Sequence, residues 1–437
     1  MTRFRSLLTL LLVLVLFCAG LPAFAEDDNP LEVEDISIED LLAIDPPTND
    51  VAEAADVFTP SCGSPWTEDI GSSYWTTPMD ITDTEAVWNM LMEPITVVDI
   101  GKSKGLSRSQ LTKQNIYMYK EPDKDSKIVG EVTNLSQGVR VIEELDNGWT
   151  HVECYSSSFY SKPATKIKAW NILVSGYVQS KYLKQVQPTD KLALVVDKLA
   201  QHLYVFQEGK MIADLLCSTG LVQWNGKKYQ PYNETRSGEF LLINMTGSLD
   251  SDRLKCSYAI RFNAGDEIHE VPHLVRADGT FEYKTTEPYL GEKRSHGCIR
   301  IQRLATPEGI NMAWIYKRVR DLDLCGKVKI VIWEDWQGRQ LPVPDPDTAV
   351  YYNDNGKGQY YHRGEKCNSA SSVTFSPFRY SQLDEEPFSR LKACPWCNPV
   401  RRESEIEEIN QRYAPGGDHD ELLTELRQEY YEYLEKD

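Results

Sequence analysis

The chain has 437 residues, 41% of them hydrophobic, enough to build two or three domains with cores of their own. Its formal net charge of −19 repels phosphate backbones and excludes a general nucleic-acid-binding role. Of ten cysteines, one falls in the first 25 residues, and the odd count of the other nine suggests that some do chemistry or bind metal rather than staple the fold.

Residues 1–25 read as an export signal. Arg3 and Arg5 precede an apolar run over 7–20, and Ala23-Phe24-Ala25 supplies small residues at the two positions a signal peptidase inspects. The run is too short for a comfortable membrane span. Cleavage after Ala25 is therefore expected. It removes two arginines and takes the formal charge from −19 to −21. A lipidated Cys18 is the weaker alternative, because bulky Phe17 precedes it. The mature form is expected to be extracytoplasmic, secreted to the cell wall or periplasm, with no transmembrane span. Nine cysteines then remain, an odd number that leaves at least one thiol unpaired.

Residues 26–91 form an acidic, proline-containing linker, with one short helix predicted at Thr84–Met92 behind the capping residue Asp83. From 92 to 187 the pattern changes to short alternating strands. Asn115-Ile116-Tyr117-Met118-Tyr119 opens them, and Asp146-Asn147-Gly148 supplies a hairpin turn before Trp149. Residues 190–335 are again rich in strands, beginning with Leu194-Val195-Val196-Asp197 and His202-Leu203-Tyr204-Val205-Phe206. One helix is predicted over 307–319 and a last strand over 327–332. A proline-rich linker at 341–346 leads to a small module at 349–400 and an acidic helical tail at 401–437. Ile406, Ile409, Leu422, Leu423 and Leu426 are the tail's main apolar residues. The fold class is mainly β.

The sharpest motif is Ser295-His296-Gly297-Cys298-Ile299-Arg300. A thiol attacks as its thiolate and needs a base or positive charge nearby. In an extended segment His296 shares a face with Cys298. Gly297 lets backbone approach a substrate closely, and its amide can face a developing oxyanion. Arg300 adds charge that favours a thiolate and can hold a carboxylate.

These residues resemble the signature of the YkuD-type L,D-transpeptidase catalytic domain, a Ser/Thr-His-Gly-Cys tetrad with an upstream histidine. Glu267-Ile268-His269 matches the upstream element. Ser218-Thr219-Gly220 and Thr235-Arg236-Ser237-Gly238-Glu239-Phe240 match two further segments, with Arg236 where proline is usual. The resemblance covers about 140 residues and implies a β-rich sandwich. It makes Cys298 the nucleophile, His269 its base, His296 and Ser295 orienting groups, and the Gly297 and Cys298 amides the oxyanion hole. Arg300 would contact substrate. His273 is the rival base and otherwise lines the cleft. Twenty-five residues lie between His269 and Ser295, longer than is usual, and the charged stretch 276–293 is expected to form a hairpin or lid. The resemblance implies no metal or other cofactor for catalysis.

Two flanking modules show resemblances of their own. Residues 92–187 resemble a bacterial Src-homology-3-like barrel, which implies wall or peptide binding. The small module carries His362, Cys367, Cys394 and Cys397 as His-x4-Cys-x26-Cys-x2-Cys, ligand types suited to a tetrahedral structural Zn²⁺. It resembles small zinc-binding appendages. A disulfide between Cys394 and Cys397 is the competing reading. Cys217 and Cys256 sit in apolar strand contexts and read as core thiols, whereas Cys154, Cys325 and Cys62 are left open.

The function these features imply is a secreted cysteine L,D-transpeptidase acting on peptidoglycan stem peptides and forming 3→3 cross-links. An L,D-carboxypeptidase, with water as acceptor, uses the same residues. A wall-binding scaffold with a dead catalytic domain is the non-enzymatic alternative.

Overall fold

The computed structural model describes residues 78–101, 106–158, 167–251, 254–335 and 339–436. The export signal, most of the acidic linker, Cys18 and Cys62 lie outside the described residues. No helix among the described residues is long and apolar enough to cross a membrane.

Helix α1 (Thr84–Met92) begins where the Asp83 carboxylate accepts the Ala86 amide at 3.1 Å. It buries Val87, Met90 and Leu91. Strand β1 (Ile95–Val98) and a single-turn α2 (Arg108–Leu111) follow. A five-stranded antiparallel sheet comes next, made of β2 (Asn115–Tyr119), β3 (Ile128–Thr133), β4 (Arg140–Glu144), β5 (Trp149–Ser157) and β6 (Trp170–Gln179) in the order β3-β2-β6-β5-β4. Gly148 takes the left-handed conformation at the hairpin turn into β5 (φ 84°). The inner face packs Val98, Met118, Val132, Val152, Cys154 and Val174. Strand β7 (Leu183–Val186) returns to pair with β1.

The next sheet is built from β8 (Ala193–Asp197), β9 (His202–Gln207), β10 (Lys210–Ser218), β11 (Gly238–Leu241), β12 (Asn244–Ser251), β13 (Leu254–Asn263), β14 (Asp266–Glu270), β15 (His273–Val275), β16 (Phe281–Glu282), β17 (Ile299–Ile301) and β18 (Lys329–Trp333). Its order begins β11-β18-β8-β9-β10-β17-β14-β13. Helix α3 (Met312–Asp321) lies against it. The predicted helix starts five residues too early. The segment 306–310 is a turn closed on Gly309 (φ 82°), and Asn311 caps the true first turn through the Trp314 amide at 3.0 Å.

The alternation expected of strands decides which layer each residue joins. Leu194, Val196, Leu203, Val205, Ile330 and Ile332 face the main core with Ile268, Ile299, Ile301 and Ile315 of α3. Ala193, Val195, Tyr204, Phe206, Val331 and Trp333 face the other way and are covered by α1. Covering both faces explains why these strands read as continuous apolar runs.

The five-stranded unit leans on the edge strand β11. Gly138 donates to Glu239 O at 2.8 Å, and Leu241 donates to Ser136 O at 2.8 Å, so the exposed edge is paired. The last module contains β19 (Ala349–Tyr352), β20 (Tyr360–His362), β21 (Ser376–Arg379) and β22 (Lys392–Ala393), in the order β21-β19-β20-β22. Helices α4 (Glu403–Arg412) and α5 (Asp418–Glu435) complete the chain, broken at Pro415-Gly416-Gly417. The buried face of α5 is Leu423, Arg427, Tyr430 and Leu434. Leu423 packs on Val222, while Tyr430 and Leu434 close the core of the five-stranded unit.

Candidate active site

Along residues 294–300 burial alternates. Ser295, Gly297 and Ile299 are buried, whereas Arg294, His296, Cys298 and Arg300 are half-buried. His296, Cys298 and Arg300 therefore share the more accessible face, as the spacing suggested. Strand β17 anchors this segment between β10, where Ser218 pairs with Arg300, and β14, where Ile268 pairs with Ile299 and His269 with Arg300 in parallel register. Upstream, the Arg294 and Ser295 amides both donate to Thr219 O, at 2.9 and 3.0 Å. Thr235 acts as a latch, accepting the Gly220 amide at 2.8 Å and donating to Gly297 O at 2.9 Å. Ser295 Oγ donates to the Cys298 carbonyl oxygen and accepts the Gly297 amide at 3.2 Å. The Gly297 amide is thus engaged within the loop.

Gly297 has φ 117°, and a Cβ built there would stand 2.5 Å from Asp266 Oδ1. Only glycine fits without displacing something. Asp266 itself is buried, 3.6 Å from Arg236 Nη1 and 3.4 Å from Asn263 Nδ2. Burial pushes its carboxyl up to about 6, against the opposing pull of Arg236 and Asn263.

Cys298 lies one residue before β17, opposite Glu267, whose backbone N–H bonds the sulfur. His269 is two residues further along the adjacent strand on the same face. Its Nδ1 is 2.7 Å from Glu270 O. A carbonyl oxygen can only accept, so Nδ1 carries the hydrogen and Nε2 of the neutral ring keeps its lone pair. Burial, assisted by the charge of Arg300, lowers His269 to about 4 against the bond to Glu270. Burial and Arg300 likewise lower His296 to about 4. Both imidazoles are neutral near pH 7.

One expectation is corrected. Arg300 was expected to favour a resting thiolate, yet the Cys298 thiol is pushed well above its usual range. Burial is the larger cause, the Asp266 and Glu267 carboxylates add to it, and the Glu267 amide opposes. Arg300 is itself buried enough that its own charged form is penalised. Both groups are neutral at rest, the Cys298 thiol protonated and the His269 ring uncharged.

His273 is placed elsewhere. Strands β14 and β15 lie end to end along β13, where Ile260 pairs with Ile268 and Lys255 with His273. Four residues of strand put His273 about 13 Å beyond His269, on the side away from Cys298. It is fully buried, its ring tilted against those of Phe281 (4.2 Å) and Tyr283 (5.0 Å). The charged stretch after it begins as the β15–β16 hairpin, tied down by Tyr283 Oη donating to Glu270 Oε1 at 2.9 Å.

Several residues around the site were given no role by sequence reasoning, Arg236 being noted only as standing where proline is usual. Arg236 is buried and donates to Tyr232 O (2.7 Å), Glu234 O (2.9 Å) and Ser158 O (3.1 Å), tying the five-stranded unit to the site. Lys198 lies 2.9 Å from Glu234, 2.9 Å from Glu334 and 3.5 Å from Asp335. Lys293, two residues before Ser295, bridges Asp335 and Glu234. Glu234, Asp335 and His419 lie close enough to share a cation. Lys198 and Lys293 each already pair with both Glu234 and Asp335, so this is an ion network.

The four candidate ligands of the small module do converge. One ligand atom from each of His362, Cys367, Cys394 and Cys397 lies within 4.8 Å of the others, and all four residues are buried. All eight cysteines among the described residues are free thiols, and Cys154, Cys217 and Cys256 are buried.

Compared with known families, residues 191–332 match the YkuD model, described as the L,D-transpeptidase catalytic domain. Residues 191–332 are an L,D-transpeptidase catalytic domain. A search of curated proteins returns no match. Among solved structures, an L,D-transpeptidase from Xylanimonas cellulosilytica aligns at 14% identity and TM-score 0.23, over 33% of this chain and 61% of that one. One from Mycobacterium smegmatis aligns at 13% identity and TM-score 0.24, covering 56% and 92%. Mycobacterium tuberculosis L,D-transpeptidase 3, in complex with a faropenem-derived adduct, aligns at 14% and 0.25, covering 56% and 92%. The chain spans less than two thirds of the Xylanimonas structure. Within the L,D-transpeptidase domain, the tetrad segment and the His269 strand are adjacent and parallel.

Proposed function

We propose that the protein is an exported cysteine acyltransferase that cross-links peptidoglycan stem peptides. The observation that carries this reading is the His269 Nδ1 bond to the Glu270 carbonyl, which leaves Nε2 as a base beside a strand delivering Cys298. In the proposed cycle the Cys298 sulfur attacks the donor carbonyl and its proton passes to His269 Nε2. The tetrahedral intermediate collapses by breaking the C–N bond, and His269 returns the proton to the departing D-alanine amine. An amine from a second stem then attacks the thioester and gives its proton to His269, which passes it to the Cys298 sulfur as the C–S bond breaks. Ser295 and the Thr235 latch hold the loop, and His296 and Arg300 flank the donor. We assign the oxyanion to the Cys298 amide, with Gly297 providing close backbone approach. A 3→3 linkage is the expected product. Hydrolysis of the same thioester by water gives the carboxypeptidase outcome.

Export through residues 1–25 supplies the compartment, and the five-stranded unit is read as a wall-binding barrel of the Src-homology-3-like kind. The chemistry needs no metal. The four clustered ligands are read as a separate structural zinc site, argued below.

The test is intact-mass analysis of the purified protein and its Cys298→Ala variant after incubation with faropenem or a carbapenem. An adduct on the wild type alone, mapped to the Cys298 peptide, supports the reading. Absence of an adduct from both proteins contradicts it and favours the scaffold alternative.

A further inference from the structure

We propose that His362, Cys367, Cys394 and Cys397 bind one structural Zn²⁺, and that this metal centre clamps the end of the catalytic strand β17. Parallel pairing of β20 with β22 brings His362 beside Cys394, and the Cys394-Pro395-Trp396-Cys397 turn returns the fourth ligand. Cys367 Sγ and Cys394 Sγ are 3.7 Å apart, and Cys397 Sγ and His362 Nδ1 are 3.6 Å apart. Tetrahedral zinc, with Zn–S of about 2.3 Å and Zn–N of about 2.0–2.1 Å, sets these separations at about 3.8 and 3.6 Å. A disulfide brings two sulfurs to about 2.05 Å, so the 3.7 Å between Cys367 and Cys394 fits a shared ion, and Cys394 and Cys397 are both free thiols. The Ser369 amide points at Cys367 Sγ and the Arg363 amide at Cys397 Sγ, both at 3.5 Å, a setting that suits thiolates. The imidazole of His362 stacks on Phe375 at 3.9 Å, which fixes its plane.

The residues that immediately follow two of these ligands reach into the catalytic domain. Asn368 Nδ2 donates to Ala305 O (3.2 Å) and Thr306 O (2.8 Å). Asn398, held at φ 42°, donates to Gln302 Oε1 (2.9 Å) and Asp214 O (3.3 Å). Gln302 directly follows β17 and also bonds Leu216 of β10. Arg401 adds bonds to Gly291 O and Ala200 O, each at 3.0 Å. Ligation fixes both knuckles, and the knuckles fix the two carboxamides, so the metal acts on the segment carrying Cys298 without touching substrate. Its relevance to catalysis rests on the proposed role of Cys298, whereas metal content and strand protection do not.

The test uses the full chain. Plasma mass spectrometry is expected to find one zinc per chain after desalting, and none in a Cys394→Ser/Cys397→Ser variant. Hydrogen–deuterium exchange over residues 291–306 is expected to quicken roughly tenfold when the metal is stripped by a chelator. The Asn368→Ala/Asn398→Ala variant is expected to keep its zinc and show the same quickening, which separates the clamp from unfolding of the module. A metal-free protein with a Cys394–Cys397 disulfide overturns the metal site. A zinc-loaded protein whose exchange over 291–306 ignores metal removal overturns the clamp.

Discussion

Gly297→Ala is the most informative single change. The added Cβ meets Asp266 Oδ1 at 2.5 Å and Cγ at 3.2 Å, and it must adopt φ 117°. Holding an L-residue in that region costs of order 1–3 kcal/mol. Overpacking a buried, tethered carboxylate costs typically another 1–3 kcal/mol. The variant is thus expected to lose roughly 2–6 kcal/mol of stability in urea unfolding, from the sum of those two terms. Any relief moves the loop that carries Cys298, and a displacement of about 1 Å is worth on the order of 100-fold in rate. A double-mutant cycle with Asp266→Ala isolates the contact. Removing the carboxylate should recover the overpacking share, about 1–3 kcal/mol, and leave the backbone share in place. A Gly297→Ala protein as stable and as readily acylated as wild type, or a cycle with no coupling, refutes the reasoning.

Other outcomes follow from the same geometry. Because burial holds His269 near 4, kcat/KM for the first acylation should stay flat as pH falls from 7 to about 5 and halve near 4; a midpoint near 6.5 contradicts the assigned environment. Thr235→Val strands the Gly220 amide and the Gly297 carbonyl, so it should cost about 2–4 kcal/mol in unfolding and quicken exchange at 219–221 and 295–298. Lys293→Met leaves Asp335 and Glu234 short of a buried cation and should cost about 3–5 kcal/mol. Burial raises the Glu234 carboxyl, but Lys198 and Lys293 outweigh that and hold it at about 2. Its contribution is complete above 4.5 and is lost as pH falls toward 2. The Lys293→Met variant should therefore acid-unfold at higher pH than wild type, which a circular-dichroism pH titration reads directly.

The sequence carries its local signals well. Asp83 before an apolar 3.6-residue repeat marked α1, and the tetrad marked the reactive loop because its chemistry sits within six consecutive residues. Unbroken apolar runs likewise marked β8 and β9, whose two faces enter two cores. What stayed hidden depends on register between distant segments. The Glu267-Ile268-His269 match favours His269 over His273, but where each lies relative to Cys298 follows only from the pairing of β14 with β17. Asp266 became part of the site because β14 runs beneath Gly297, and nothing local announces that. Arg236, a departure from the usual proline, gains meaning from Ser158 in another unit. In the tail the leucines drew attention, yet Arg427, Tyr430 and Leu434 share the buried face with Leu423, since the helix packs against surfaces far away in sequence.

The most direct test gives the purified enzyme a disaccharide-tetrapeptide ending in D-alanine, alone and with an acceptor stem, beside the Cys298→Ala variant. Intact mass and peptide mapping would follow the protein, and chromatography the products. The expected result is D-alanine release with a thioester on the Cys298 peptide, joined by cross-linked dimers when the acceptor is present, and neither in the variant. Turnover by Cys298→Ala, or acylation mapped to any other cysteine, would contradict the account.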